Sequence, residues 1–147
     1  MRGFKIANGY QTRTIKLPQR STKKSAGYDF EIIEDIQIEP GEIKLAHTGI
    51  KAYMQDDEVL KLYPRSSLPK KFGVTIPNNV GIIDADYFGN PDNDGAIFVS
   101  LYNFTNKTQF IPKGTRIAQG IFIKYLKTEE DHPLSDNRNG GFGSTGT

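Results

Sequence analysis

The sequence predicts an all-β sandwich or barrel with a flexible glycine-rich C-terminal tail. Apolar residues recur with the two-residue period of a strand and not with that of a helix. Turn signals fall at intervals of roughly 8–12 residues. Eight prolines are scattered along the chain, which suits short strands and frequent turns. Ile36 and Ile38, the Pro40-Gly41 pair, then Ile43 and Leu45 predict strand, turn, strand. Val59 to Tyr63 reads as a further strand, and so does Ala96 to Phe104. Phe110-Ile111 runs into a Pro112-Lys113-Gly114 turn, after which Ile117 to Ile123 continues as a strand. Ser66 to Phe72 is the single predicted helical turn, with Pro69 expected to keep it short. There is no internal repeat.

A chain of 147 residues fits one domain and is long enough to bury a core without covalent staples. We divide it into a β domain over residues 1–126 and a linker with tail over 127–147. Hydrophobic residues at 36% and charged residues at 24% mark a globular chain. With no cysteine, a disulfide scaffold, a Cys-ligated metal site and a thiol nucleophile are excluded. His47 and His132 are the only histidines; they disfavour a multi-histidine metal site and read as surface or packed residues. The net charge of +2 is too small for non-specific nucleic-acid binding. No apolar run approaches the roughly 20 residues of a membrane-spanning helix, nor that of a signal peptide. The expectation is a protein of the cytoplasm, or of the host cytoplasm if virus-encoded, with neither nucleic acid nor membrane as partner.

Three polar clusters interrupt the apolar pattern. Pro64-Arg65-Ser66-Ser67 follows a strand and suits a phosphate, with a bidentate guanidinium, two hydroxyls and freed backbone N–H groups. The same residues also suit a serine turn or helix N-cap beside a surface arginine. Gly81-Ile82-Ile83-Asp84-Ala85-Asp86-Tyr87-Phe88-Gly89 places Asp84 at the end of an apolar strand, where a carboxylate can act as general base. The Asp84 and Asp86 pair could equally chelate a divalent ion or cap a hairpin. The third cluster is the tail, Gly140-Gly141-Phe142-Gly143-Ser144-Thr145-Gly146. Its glycines and hydroxyls suit a phosphate cradle, but it lacks the lysine and following helix of a P-loop. Its composition also suits a plain disordered terminus, although Phe142 and Arg138 are unneeded in a spacer.

In order along the chain, these clusters resemble the five motifs of the trimeric deoxyuridine triphosphatase (dUTPase) family. The first is Ala26-Gly27-Tyr28-Asp29-Phe30, and the second runs from Pro64 to Ser67 and on through Phe72-Gly73-Val74. The third is Asn78 with Gly81 to Gly89, the fourth Gly114-Thr115-Arg116-Ile117-Ala118-Gln119, and the fifth Gly140 to Gly146. The resemblance implies a jelly-roll-like fold, a homotrimer with sites between subunits, and hydrolysis of dUTP to dUMP and pyrophosphate. It also implies Mg2+ carried on the triphosphate with no direct protein ligand, Asp29 standing near the ion's water shell. Asp84 would activate the water that attacks the α-phosphorus. Asn78 and the backbone around Ile82, Ile83 and Phe98 would read the uracil, and Tyr87 would pack on the deoxyribose and refuse a 2′-hydroxyl. Arg65, Ser66, Ser67 and Gln119 would hold the phosphates. Phe142 would cover the base, with Arg138, Gly143, Ser144 and Thr145 reaching the γ-phosphate.

Two features depart from the family pattern. An extra Asn90-Pro91-Asp92-Asn93-Asp94 loop follows the third motif, either as neutral surface or as a contact that modifies the site. Arg138 stands one residue closer to the Gly140-Gly141 pair than usual, which changes its register. The nearest rival is dCTP deaminase, which is similar in fold and several motifs. Its deamination needs a glutamate where this chain has Ser100, and a hydroxyl cannot shuttle the protons. A catalytically idle nucleotide- or protein-binding β module is the remaining alternative, disfavoured by the joint presence of Asp84, Arg65 and the tail.

Overall fold

The computed structural model describes residues 1–138 together with Gly140 and Gly141. Twelve strands build it: β1 (Gly3–Ile6), β2 (Gln19–Arg20), β3 (Tyr28–Glu31), β4 (Ile36–Ile38), β5 (Ile43–His47), β6 (Ile50–Tyr53), β7 (Glu58–Pro64), β8 (Val74–Thr75), β9 (Gly81–Asp84), β10 (Phe98–Asn103), β11 (Gln109–Ile111) and β12 (Arg116–Lys124). They form four antiparallel sheets: β1-β6, β5-β10-β8, β11-β4 and the five-stranded β2-β3-β12-β7-β9. Phe30, Ile38, Leu60, Ile97, Leu101 and Ile117 are almost wholly buried between them. The all-β expectation holds, in a jelly-roll-like arrangement.

Burial alternates along β10, with Val99, Leu101 and Asn103 inward and Phe98, Ser100 and Tyr102 on the opposite face. That alternation is the two-residue period seen in the sequence. On β12 it breaks at a bulge between Arg116 and Ala118, and the neighbours Ile117 and Ala118 are both buried. Asn103 is fully buried yet satisfied: its amide donates to the Ile38 and Lys107 carbonyls, and its oxygen accepts from the Thr105 N–H and hydroxyl. Because Leu101 is wholly enclosed, Leu101→Ala should cost about 2–5 kcal/mol in denaturant-unfolding stability.

One local expectation is corrected, that Pro69 limits the helical turn. Strands β4 and β5 flank the Pro40-Gly41 turn as expected, and each pairs elsewhere: β4 joins β11 and β5 joins β10. The turn is a corner between two sheets. The helical turn is Leu68–Phe72, but Pro69 sits in its first turn, where a missing N–H costs nothing. Gly73, left-handed at φ 64°, is what ends it.

Candidate active site

A cavity of about 230 Å³ opens beside β9 and β10. Asn78, Ile82, Ile83, Asp84, Tyr87, Phe98 and Arg138 all line it, so seven of the expected site residues are brought together. Leu62, Ile76 and Val99 supply its apolar floor, positions the sequence showed only as core. Strand β9 is the last in its sheet, paired to β7 on one side only. An edge strand presents a row of backbone donors and acceptors, here turned to the cavity. Ser100, where the resemblance to a deaminase would call for glutamate, stands in the cavity wall.

Asp84 ends β9 and begins the short 3-10 turn Ala85–Tyr87, with its side chain half exposed at 51%. That turn swings Tyr87 inward until it is buried. The Tyr87 hydroxyl donates to the Ala96 carbonyl at 2.6 Å and accepts from the Asn93 amide at 2.9 Å. Burial pushes the Tyr87 phenol up, against the opposing pull of Asn93 and Arg138, so it remains a donor at neutral pH. The hydroxyl end of the ring is thus fixed by two hydrogen bonds.

Arg138 does not stand free. Its Nη2 donates to Asp84 at 2.7 Å, its Nε donates to Asp86 at 2.9 Å, and its guanidinium lies 5.7 Å from the Tyr87 ring centre. The aspartate pair therefore grips a guanidinium. Among the described residues no group of three or more His, Cys, Asp or Glu could hold a metal ion.

The second cluster lies elsewhere. Arg65, Ser66, Gln119 and Asp29 line a separate cleft of about 160 Å³ that shares no residue with the first. Asp29 is clasped by Arg65 at 2.6 Å, by Arg116 at 3.6 Å and by the Ser21 hydroxyl at 3.0 Å. It orients the cations, a role the sequence did not reveal. Gly27 is required here, since a Cβ at that position would run into the Gln119 side chain. Ser67 occupies the N-cap position of the short helix but makes no side-chain capping bond, which removes the N-cap alternative. Antiparallel pairing sets Asp84 opposite Val59, at the far end of β7 from Arg65. Six residues of extended strand put Asp84 and Arg65 roughly 20 Å apart within one chain.

The 90–94 loop is rigid. Asn90, only 6% exposed, accepts the N–H groups of Asp92 and Asn93 through Oδ1 and donates to the Tyr87 carbonyl. Asp94 binds Lys51 and the Asn8 N–H. Burial pushes the Asp94 carboxyl up, but those two partners prevail and hold it below the ordinary carboxylate range. This anchor is therefore present at neutral pH and fades only as the pH falls through that lowered value. Of the remaining expected residues, Phe142, Gly143, Ser144 and Thr145 lie outside the described residues.

A family model described as dUTPase matches residues 13–146. The deoxyuridine 5′-triphosphate nucleotidohydrolase of Lactococcus lactis subsp. lactis is 49% identical over 147 residues, covering 99% of this chain and 98% of that protein. The protein of the same name from Nautilia profundicola is 40% identical over 134 residues, covering 88% of this chain and 90% of its own. The solved dUTPase of Streptococcus mutans superposes with a TM-score of 0.81 at 43% identity, over 86% of this chain and 98% of that one. A dUTPase from phage phi11 of S. aureus shares the fold, with a TM-score of 0.73 at 19% identity over 92% of this chain and 98% of its own. With the family's model spanning nearly all of the sequence and a relative at 49% identity from end to end, the chain belongs to the dUTPase family.

Proposed function

We propose that the chain hydrolyses dUTP to dUMP and pyrophosphate, keeping uracil out of DNA and supplying dUMP for thymidylate synthesis. One observation carries the reading: a single cavity gathers Asn78, the free edge of β9, Phe98 and a pinned Tyr87, with Asp84 at its side. Uracil enters against the β9 edge, the deoxyribose lies on Tyr87, and Asp84 takes a proton from the water that attacks the α-phosphorus. Arg65, Ser66, Ser67 and Gln119 hold the phosphates, with Asp29 orienting Arg65. Arg138 passes from the Asp84-Asp86 pair to the γ-phosphate when the triphosphate arrives. Phe142, Gly143, Ser144 and Thr145 complete the closure, in a tail of residues 127–147 that follows a β domain of residues 1–126.

Magnesium rides on the triphosphate. The phi11 dUTPase structure is described as showing coordination of a structural Mg(II) ion. In this chain Asp29 is already occupied by Arg65 and Arg116, so the protein's part is to hold the phosphates that carry the ion. When bound, the ion supplies charge neutralisation on the triphosphate.

We also propose a homotrimer with sites between subunits. A triphosphate cannot bridge the roughly 20 Å between Asp84 and Arg65 of one chain, so a second copy must bring its phosphate cluster to the cavity. An exposed apolar strip on β5, Ile43 at 57% and Leu45 at 47%, offers a face for that contact. Light scattering should give three times the 16.4 kDa chain mass; an active monomer would remove the shared site. The compartment is the cytoplasm, where the nucleotide pool lies. Pyrophosphate release from dUTP tests the activity, and ammonia release from dCTP would instead favour deamination, which Ser100 in the cavity wall opposes.

A further inference from the structure

Residues 123–137 are exposed without a break, yet Gly140 and Gly141 just beyond them are buried. What buries Gly141 is the 90–94 loop. Its N–H donates to Asp92 Oδ2 at 2.7 Å. A Cβ on Gly141 would stand 2.9 Å from Asn93 Nδ2, 3.1 Å from Asn90 Oδ1 and 3.1 Å from Asp92 Cβ. None of these neighbours can readily step aside. Asn93 Nδ2 is committed to the Tyr87 hydroxyl, and Asn90 Oδ1 to two backbone N–H groups. The fit therefore demands glycine at this position of the tail.

A loop that only capped its own hairpin would need Asn90, Asn93 and Asp94, and each has an internal or strand partner. The Asp92 carboxylate serves none of those contacts. It points out of the turn and accepts from a residue 49 positions away. Asn93 completes the link, since the amide that walls the glycine is the one that holds the Tyr87 hydroxyl.

We propose that the Asn90–Asp94 loop is the dock of the C-terminal tail, with Asp92 receiving the Gly141 N–H and Asn93 joining that dock to Tyr87. Asp92 and Asn93 are thus positioning residues for the tail, and Gly141 directly precedes Phe142, the cover of the base in the reading above. The contact is local to the loop and the tail, so it works whether a tail reaches its own loop or a neighbour's. A tail held at this dock has less ordering left to undergo on closure, and the saving is the same for bound substrate and transition state. Its loss should fall on KM and not on kcat.

This inference rests on the dUTPase reading for its kinetics but not for its structural arm. In the full-length chain, Asp92→Ala should raise the KM for dUTP about tenfold, with kcat within about twofold of the parent. The variant removes no bond internal to the loop, so its unfolding midpoint should stay within about 2 °C. Gly141→Ala should produce the same KM effect from the tail side, and the double variant should add nothing further. Amide exchange of the peptide spanning residues 138–147, read by mass spectrometry, should accelerate in both single variants. Unchanged tail exchange, a loss confined to kcat, or single losses that multiply in the double variant would each overturn the dock. A parent chain that releases no pyrophosphate from dUTP would sink the activity reading alone, and the exchange comparison would still decide the dock.

Discussion

dUTP should be hydrolysed about 10⁴–10⁵ times more efficiently than dCTP, measured as the ratio of kcat/KM for pyrophosphate release. The expectation follows from the kind of wall the base meets. Strand β9 pairs with β7 along one edge only, and its other edge offers fixed backbone donors and acceptors to the cavity. Uracil presents a carbonyl acceptor beside an N–H donor, whereas cytosine presents an amino donor beside a ring-nitrogen acceptor. Against a backbone that cannot rotate, the wrong base leaves both partners buried and unpaired. Backbone discrimination of this kind cannot be relaxed by a rotamer change, unlike a side-chain amide. UTP should be refused at a different point, the Tyr87 ring. Its hydroxyl is tied to Ala96 and Asn93, so an added 2′-hydroxyl cannot push it aside. Comparable rates for dUTP and dCTP would show that the β9 edge does not read the base.

Much of the cavity was legible because it is built from residues close in sequence. Asn78 through Tyr87 is one strand with its flanking turns, and the two-residue period together with the terminal aspartate locates it. Phe98 and Ser100 share one face of β10 by the same period. What the period cannot give is pairing. It tells which face of a strand is buried but not which neighbour lies beside it, and so it could not show that β4 and β5, neighbours in sequence, serve different sheets. The separation of Asp84 from Arg65 was hidden for the same reason, because it depends on β7 running antiparallel to β9. Asp29 and Asp92 escaped notice as positioning groups because their partners, Arg65 and Gly141, are 36 and 49 positions distant in the chain. Those contacts exist only after the sheets have assembled.

Asp84→Asn should lower turnover by about 10²–10⁴ while leaving nucleotide affinity near that of the parent. The substitution preserves size, but it removes the negative charge, and with it both the capacity to take a proton and the ion pair to Arg138. Binding should survive because, in the proposed function, β9 reads the base and the cluster at Arg65 holds the phosphates, and neither role uses this carboxylate. The tail should also keep its place, since Arg138 retains Asp86 through Nε and Gly141 retains Asp92. Steady-state pyrophosphate release and calorimetric titration with a non-hydrolysable dUTP analogue read the two quantities separately. The companion variant Asp86→Asn isolates the cause. It breaks the other half of the grip on Arg138 but leaves the Asp84 carboxylate intact, so the buried guanidinium keeps a charged partner. Its turnover should therefore stay within about tenfold of the parent. Equal losses in the two variants would mean that gripping the guanidinium, and not accepting a proton, is what Asp84 contributes.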